Sequence, residues 1–469
     1  MSENIDAKIN AVLRRGVAEF IDPEGKFSEK LMKKVRGEYE GDIVIKHGVD
    51  PTRPDIHLGH AVVLRKLRAF QELGCKVIFL IGDYTTQIGD PTGKSKVRPE
   101  LEQKEIEENM KTYVDQVGKI LLTDKKVFSW IRNSDWFTAI TDLGFPSGHT
   151  VSLNINQDGK QVTINYDANS FPGKAAVFEK TRMQAKENPD KGVAVITLRG
   201  FLWTLRRVSH SRLIARDMFQ ERINKGEELY MHEMMYPVLQ GIDSYVLSKI
   251  YGSCDLEIGG TDQTFNMLFG RDVMKINGVA EQAVMTVPLL SGISGDEKMS
   301  KSADNYIAIT DSPEDMYGKT MSLPDSSIVS YFALTTYASD EEREEIKVKL
   351  EKGSVNPKEI KMRLAREIVA SYHGEEKAEG AEKAFEETFR AGKMPENAPE
   401  TVAQNGSSLA DILIASGTVE SKTEFRRLIE KGAISVVGGE KLPPDPKITV
   451  TNDMDIRVGK HRFIRIKVK

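Results

Sequence analysis

Apolar positions recur at helical spacing from the start of the chain, where Ile5, Ile9, Leu13, Val17 and Phe20 predict an amphipathic helix over 2–20, with Ser2 as N-cap. Two short, continuous apolar runs then predict strands at 43–48 and 77–82, separated by a helical pattern over 58–73. Strand, helix, strand in this order is a βαβ unit, whose ligands sit beyond the C-terminal strand ends. A further helix is predicted over 101–122, with Ile106, Met110, Tyr113, Val117 and Leu121 on one face. Residues 131–200 break the pattern, and two alternating runs around Asp158-Gly159 predict a β-hairpin. Helical patterns resume near Phe201, strands follow at 254–258 and 283–290, and residues 312 to about 395 are helical and charge-rich. A linker is expected at 396–406, then a compact module from Leu409 with two short helices followed by strands.

At 469 residues the length suggests about three domains, each able to bury its own core. Charge is distributed unevenly. The net value is −4, but residues 409–469 carry twelve basic and eight acidic side chains, leaving −8 for the rest. After Asp455 no acid follows, and this asymmetry points to a phosphate backbone as the partner of the C-terminal module. Cys75 and Cys254 lie in separate apolar segments, so neither a disulfide framework nor a cysteine metal site is supported, and a reducing cytoplasm is expected. The polar N-terminus has no apolar core of a leader, and 77–81 is too short to span a bilayer.

The candidate chemistry lies at the strand ends. Asp50-Pro51-Thr52-Arg53-Pro54-Asp55-Ile56-His57-Leu58-Gly59-His60 joins the first strand to a helix. There, unpartnered first-turn amides and the helix dipole favour phosphate, two prolines stiffen the loop, and His57 and His60 share one helical face. About 240 residues on, Lys298-Met299-Ser300-Lys301-Ser302 follows an apolar strand and a Gly-rich turn, a loop able to close over a polyphosphate. Gly82 to Lys94 and Gly259 to Gln263 are polar turns in corresponding places, and Lys94, Lys96 and Arg98 make the loop that follows the first of them basic. Tyr236, Gln240 and Asp243 share one face of a helix amid apolar neighbours, which suggests a lined pocket; Pro237 allows the helix to restart there. No G-x-G-x-x-G and no G-x-x-x-x-G-K-[ST] is present, so the usual dinucleotide and P-loop readings fall away.

Each motif is short, but the pair in this order and spacing resembles the signature of class I aminoacyl-tRNA synthetases. The chain as a whole, apart from roughly 140–198, resembles the bacterial tyrosyl-tRNA synthetases. This implies an α/β catalytic domain over 1–310 with a doubly wound (Rossmann-type) parallel sheet, a helical domain over 311–395 and a small α+β RNA-binding domain over 407–469. The resemblance implies that Thr52, His57 and His60 meet ATP phosphates, that Lys298 and Lys301 hold the leaving pyrophosphate, and that Lys94 and Arg98 approach it from a second basic loop. Gly48, Asp50, Gly59, Gly260, Asp262, Met299 and Ser300 complete the implied nucleotide site. Thr85, Asp90, Tyr236 and Gln240 would hold the amino-acid ammonium group, Asp243 the phenolic hydroxyl and Gln263 the carboxylate.

Two positions depart from the family pattern: Lys46 stands where many members have a tyrosine that shares the phenol contact, and His47 where many have a cysteine near the ribose. Selection of the hydroxyl would then rest more heavily on Asp243. ATP is implied as substrate, with Mg²⁺ arriving on it, since no protein ligand set for a metal is visible. tRNA and a second copy of the chain, in a homodimer, are the implied partners, with no membrane. A tryptophanyl-tRNA synthetase shares both signatures but has no use for Asp243 flanked by Tyr236 and Gln240. A non-catalytic RNA-binding relative would be expected to lose the nucleotide motifs, which are intact. The 140–198 segment is expected to be a structural extension.

Overall fold

The computed structural model describes residues 2–92, 101–137, 150–157, 160–167, 196, 198–295, 297–300, 305–390, 399–419, 421–437, 442–443, 445–459 and 462–468. They form two compact units: Met1–Gly292 with Lys298–Tyr306, and Ile293–Glu297 with Ile307–Lys469.

The first unit is built on a six-stranded sheet. Its strands, in chain order, are β1 (Glu19–Ile21), β2 (Val44–Val49), β3 (Lys76–Ile81), β4 (Phe128–Arg132), β7 (Leu256–Gly260) and β8 (Ala283–Val287). β5 (Thr150–Gln157) and β6 (Lys160–Asp167) form a separate antiparallel hairpin around Asp158-Gly159, as the alternation predicts; those two residues themselves lie outside the described ones. The sheet order is β1-β8-β7-β2-β3-β4, parallel except for β1 against β8. Chain order therefore reverses between β2 and β7, and a doubly wound sheet opens its ligand crevice at such a switch point. Val44, Ile45, Val77, Ile78 and Phe79 are fully buried, as strands covered on both faces require.

One face is covered by the helix Met231–Tyr251, whose Val238, Ile242, Val246 and Leu247 pack with Val44, Ile78, Leu80 and Trp136. Despite Pro237 this helix runs unbroken for 21 residues, so Tyr236, Gln240 and Asp243 keep one register. Near β3 and β7 lies the helix Leu58–Glu72, with Leu64, Leu67 and Phe70 buried.

Two expected helices are corrected. The first ends at Arg14, not at residue 20: Gly16 turns with φ +62°, and Glu19–Ile21 becomes the antiparallel edge strand β1. Only glycine adopts that φ at low cost, so the turn overrides the apolar spacing. The helix expected over 101–122 divides into Gln103–Met110 and Tyr113–Val117. Here tertiary contacts win over periodicity, because Asn109, Tyr113 and Gln116 each bond to the backbone of residues 51–56.

In the second unit the helices Pro313–Met321, Ile328–Thr335, Asp340–Glu351, Pro357–His373 and Glu375–Arg390 match the charge-rich helical stretch. The linker expected over 396–406 is corrected in part, since Glu400–Ala403 is a strand paired in parallel with Arg462–Val468. That sheet, of order Ile434–Val436, Met454–Val458, Arg462–Val468, Glu400–Ala403, shares a core with Leu409, Leu413, Phe425 and Ile429.

Candidate active site

The crevice at the switch point is bounded by the turn after β2. Its first residue, Asp50, is fixed from two sides: Tyr236 Oη donates to Oδ2 at 2.8 Å and Thr85 Oγ1 to Oδ1 at 2.9 Å. The next six residues are clamped from outside. Asn109 Nδ2 donates to Pro51 O at 3.0 Å, Tyr113 Oη to Arg53 O at 2.6 Å and Gln116 Nε2 to Pro54 O at 2.8 Å, while Ile56 N–H donates to Gln116 Oε1 at 2.8 Å. Two prolines lack N–H groups, so side chains from elsewhere tie the loop down through its carbonyls.

His57 is the N-cap of Leu58–Glu72, and its ring lies 3.8 Å, centroid to centroid, from that of His60. The His57 backbone N–H donates to His60 Nδ1 at 3.3 Å, which puts the His60 proton on Nε2. The lysine loop is brought to the same place. Gly59 N–H meets Met299 Sδ at 3.4 Å, and Lys298 Nζ pairs with Asp262 Oδ2 at 2.7 Å. Ser300 N–H is held by Asn305 Oδ1 at 2.8 Å, and Tyr306 Oη reaches Asp55 Oδ2 at 3.2 Å. Thus backbone donors, two imidazoles and a lysine converge on one side of the crevice, a constellation suited to polyphosphate.

On the other side, Asp243 is almost wholly buried, with 2 % exposure. Trp136 Nε1 donates to its Oδ1 at 3.0 Å and Asn133 Nδ2 to its Oδ2 at 3.4 Å. Asn133 cannot turn away: its Oδ1 accepts from Tyr84 N–H at 2.9 Å and its Nδ2 also donates to Thr85 Oγ1 at 3.0 Å. Burial pushes the Asp243 carboxyl up to about 7, against the pull of the Lys46 charge and the Trp136 and Asn133 donors. Asp90 accepts from Gln263 Nε2 at 2.8 Å and from Thr92 N–H at 2.9 Å; Arg216, itself buried, donates to Thr92 Oγ1. Gln240 Nε2 donates to Glu257 Oε1 at 3.0 Å, and Asn266 Nδ2 bridges the carbonyl oxygens of Gln240 and Gln263, each at 3.1 Å.

A family model for class I tRNA synthetases of the tryptophan and tyrosine type matches residues 38–144 and 193–390. This chain belongs to that family. The interval between the two matched blocks contains the β5–β6 hairpin. Among curated proteins, the tyrosine–tRNA ligase of Moorella thermoacetica is 37% identical over 456 residues, covering 97% of this chain and 94% of its own. Tyrosine–tRNA ligase 2 of Vibrio cholerae is 37% identical over 98% of both chains, and the tyrosine–tRNA ligase of Thermotoga maritima 35% identical over 97% and 96%. Among solved structures, the C-terminally truncated mitochondrial tyrosyl-tRNA synthetase of Aspergillus nidulans is similar in fold. It has a TM-score of 0.54 at 18% identity, covering 83% of this chain and all of that one.

The synthetase therefore gathers most of the residues singled out from sequence around one crevice. Gly48 lies near the end of β2 and Asp50 just after that strand, Gly260 ends β7, Thr52, His57, Gly59, His60, Asp262 and Gln263 lie on the turns or helix starts beyond these two strands, and Lys298, Met299 and Ser300 lie beyond β8. Thr85, Asp90, Tyr236, Gln240 and Asp243 line the other side. Lys94, Arg98 and Lys301 lie outside the described residues. Lys46 and His47 are both buried in β2: His47 Nδ1 is 2.9 Å from Ile258 O, and burial lowers its imidazole to about 4.

Asn133, Trp136, Glu257, Asn266, Thr92 and Arg216 were not picked out from sequence. Asn133 and Trp136 do have a signal, because they follow β4 as Asp50 follows β2, at another strand end of the same sheet.

Proposed function

We propose that this synthetase is a tyrosine–tRNA ligase: it joins L-tyrosine to ATP as tyrosyl-adenylate, releasing pyrophosphate, and then transfers the tyrosyl group to the 3′ end of tRNA(Tyr). The observation that carries the choice of amino acid is Asp243, a buried acceptor held by Trp136 and Asn133. A phenol hydroxyl satisfies it, and a bare phenyl ring leaves it without a ligand donor.

In the first step the tyrosine carboxylate attacks the α-phosphorus, and the bond to the β,γ-diphosphate breaks. Negative charge builds on phosphate oxygens, so the step needs positioned donors more than a general base. His57, His60 and Thr52 serve that end, with Lys298 and Lys301 on the departing pyrophosphate and Lys94 and Arg98 nearby. Gly48, Asp50, Gly59, Gly260, Asp262, Met299 and Ser300 seat the nucleotide. Asp90, Thr85, Tyr236 and Gln240 take the tyrosine ammonium, and Gln263 the carboxylate. Mg²⁺ enters with ATP. A cytoplasmic homodimer is the assembly we infer from the family.

Charging of unfractionated bacterial tRNA tests this reading: tyrosine is expected to be incorporated and tryptophan not, and incorporation of tryptophan alone would overturn it. The C-terminal module supports tRNA as partner, with Arg426, Arg427 and Lys431 exposed on and just after the helix Lys422–Glu430. A chain ending at residue 390 is expected to form tyrosyl-adenylate at the normal rate but to charge tRNA at least tenfold more slowly at 150 mM salt. Full charging by that chain would remove the module from tRNA recognition.

Gly82 gives a second check. A Cβ there would overlap the Asp50 carboxylate and the Thr85 hydroxyl. Gly82→Ala is expected to slow adenylate formation by about 10²-fold, the cost of misplacing a positioned group by about 1 Å. Pre-steady-state kinetics on the variant would show it, with thermal melting as the control for folding.

A further inference from the structure

The buried charge of Lys46 has a place in substrate choice. Its ammonium has no exposed surface, and each of its three N–H donors is used: Gln240 O at 2.9 Å, Ser244 Oγ at 2.9 Å and Glu257 Oε1 at 2.9 Å. Glu257 is equally engaged, taking Gln240 Nε2 at 3.0 Å on Oε1, and Ser244 Oγ at 3.3 Å and Gln282 Nε2 on Oε2. Lys46 therefore cannot itself donate to a ligand. Gln240 and Ser244 are three residues before and one residue after Asp243 on a single helix, so their grip holds the ammonium beside that carboxylate. A buried ion pair returns little stability over apolar residues of the same volume, because both charges are stripped of water. Stability alone does not account for it.

We propose that Lys46, anchored by Glu257, is a specificity-determining positioning residue: its fixed positive charge holds Asp243 as an acceptor for a ring hydroxyl. The inference rests on the tyrosine reading above. The groups that act on the Asp243 carboxyl are Lys46 from β2, Glu257 from β7, and Asn133 and Trp136 from the segment after β4. Among them Lys46 is the one cation and Glu257 the one other carboxylate. Without Lys46 two carboxylates would share a dry site, and one would hold a proton. Lys46 and Glu257 act on the Asp243 carboxyl in opposite senses, the first lowering and the second raising its affinity for a proton.

The test is the pH dependence of tyrosine and phenylalanine binding, measured by calorimetry between pH 5.5 and 9 on the full chain and on Lys46→Met and Glu257→Gln. In the wild type, tyrosine binding is expected to strengthen as pH rises through about 7, where Asp243 ionises, while phenylalanine binding stays flat. Lys46→Met is expected to move that transition up by a unit or more, weakening tyrosine by about fivefold or more at pH 7. Glu257→Gln, which keeps the shape of the network, is expected to move it down.

Opposite shifts are the signature of charge acting on Asp243, and a packing defect does not produce them. Should Lys46→Met fail to fold, the downward shift in Glu257→Gln carries the test. Shifts of the same sign, no shift, or equal losses for tyrosine and phenylalanine would overturn the proposal. A wild-type protein that does not prefer tyrosine at any pH would instead overturn the reading beneath it.

Discussion

Replacing Lys298 by alanine is expected to slow formation of the aminoacyl-adenylate by about 10²–10³-fold, the usual cost of removing one preorganised donor from developing charge. Tyrosine affinity should stay within about twofold. The separation follows from position. Lys298 lies on the phosphate side of the crevice, paired with Asp262 and followed by Met299 against Gly59, whereas the groups around Asp243 lie on the other side. Its charge meets pyrophosphate oxygens whose charge grows only as the bond to the α-phosphorus breaks, so the interaction lowers the barrier more than it helps substrate bind. Rapid-quench measurement of a single turnover, beside equilibrium tyrosine binding, tests it. Parallel losses in rate and affinity would make Lys298 a ground-state contact.

The second large effect is at Asp243. Asp243→Ala is expected to weaken tyrosine by about 1.5–3 kcal/mol, or roughly 10–150-fold, as a hydrogen bond to a charged group is lost. Phenylalanine should change by less than about threefold. A fold defect is distinguished by the sign of a stability change. The folded Asp243 carboxyl is raised from 3.8 to about 7, so the folded state holds its proton more tightly than the unfolded one. This side chain therefore costs little stability below pH 4, and the cost grows as pH rises towards 7 and stays at its full value above. Asp243→Asn, which removes the charge and keeps the size, is accordingly expected to melt higher than wild type at pH 8 and to match it near pH 4. Thermal melts at the two values check this. A lower melting temperature at pH 8 would mean that the carboxylate is retained for stability.

How much of this was legible in the sequence depended on the range of the interactions. The unit β2, Leu58–Glu72, β3 is written in local apolar runs, and its ends carry the Asp50 and His57-Leu58-Gly59-His60 turn, so fold and nucleotide site could be located together. The face shared by Tyr236, Gln240 and Asp243 was equally local, because helical register alone sets it. What could not be read was set by partners far along the chain. The division of the 101–122 helix serves Pro51, Arg53 and Pro54, whose carbonyls are about 60 residues away. Lys46 alternates within a strand as any residue would, and only the approach of Glu257 and Gln240, about 200 residues on, shows that its ammonium is fully used. The early end of the first helix was legible in part: Gly16 was visible, and the edge pairing with β8 that draws Glu19–Ile21 out of the helix was not.

One crevice is expected to activate tyrosine with ATP. Amino-acid-dependent exchange of labelled pyrophosphate into ATP, run side by side with tyrosine, tryptophan and phenylalanine, tests it most directly. Exchange is expected with tyrosine, and at most a trace with the other two. Exchange supported by tryptophan but not tyrosine, or by none of the three, would contradict it.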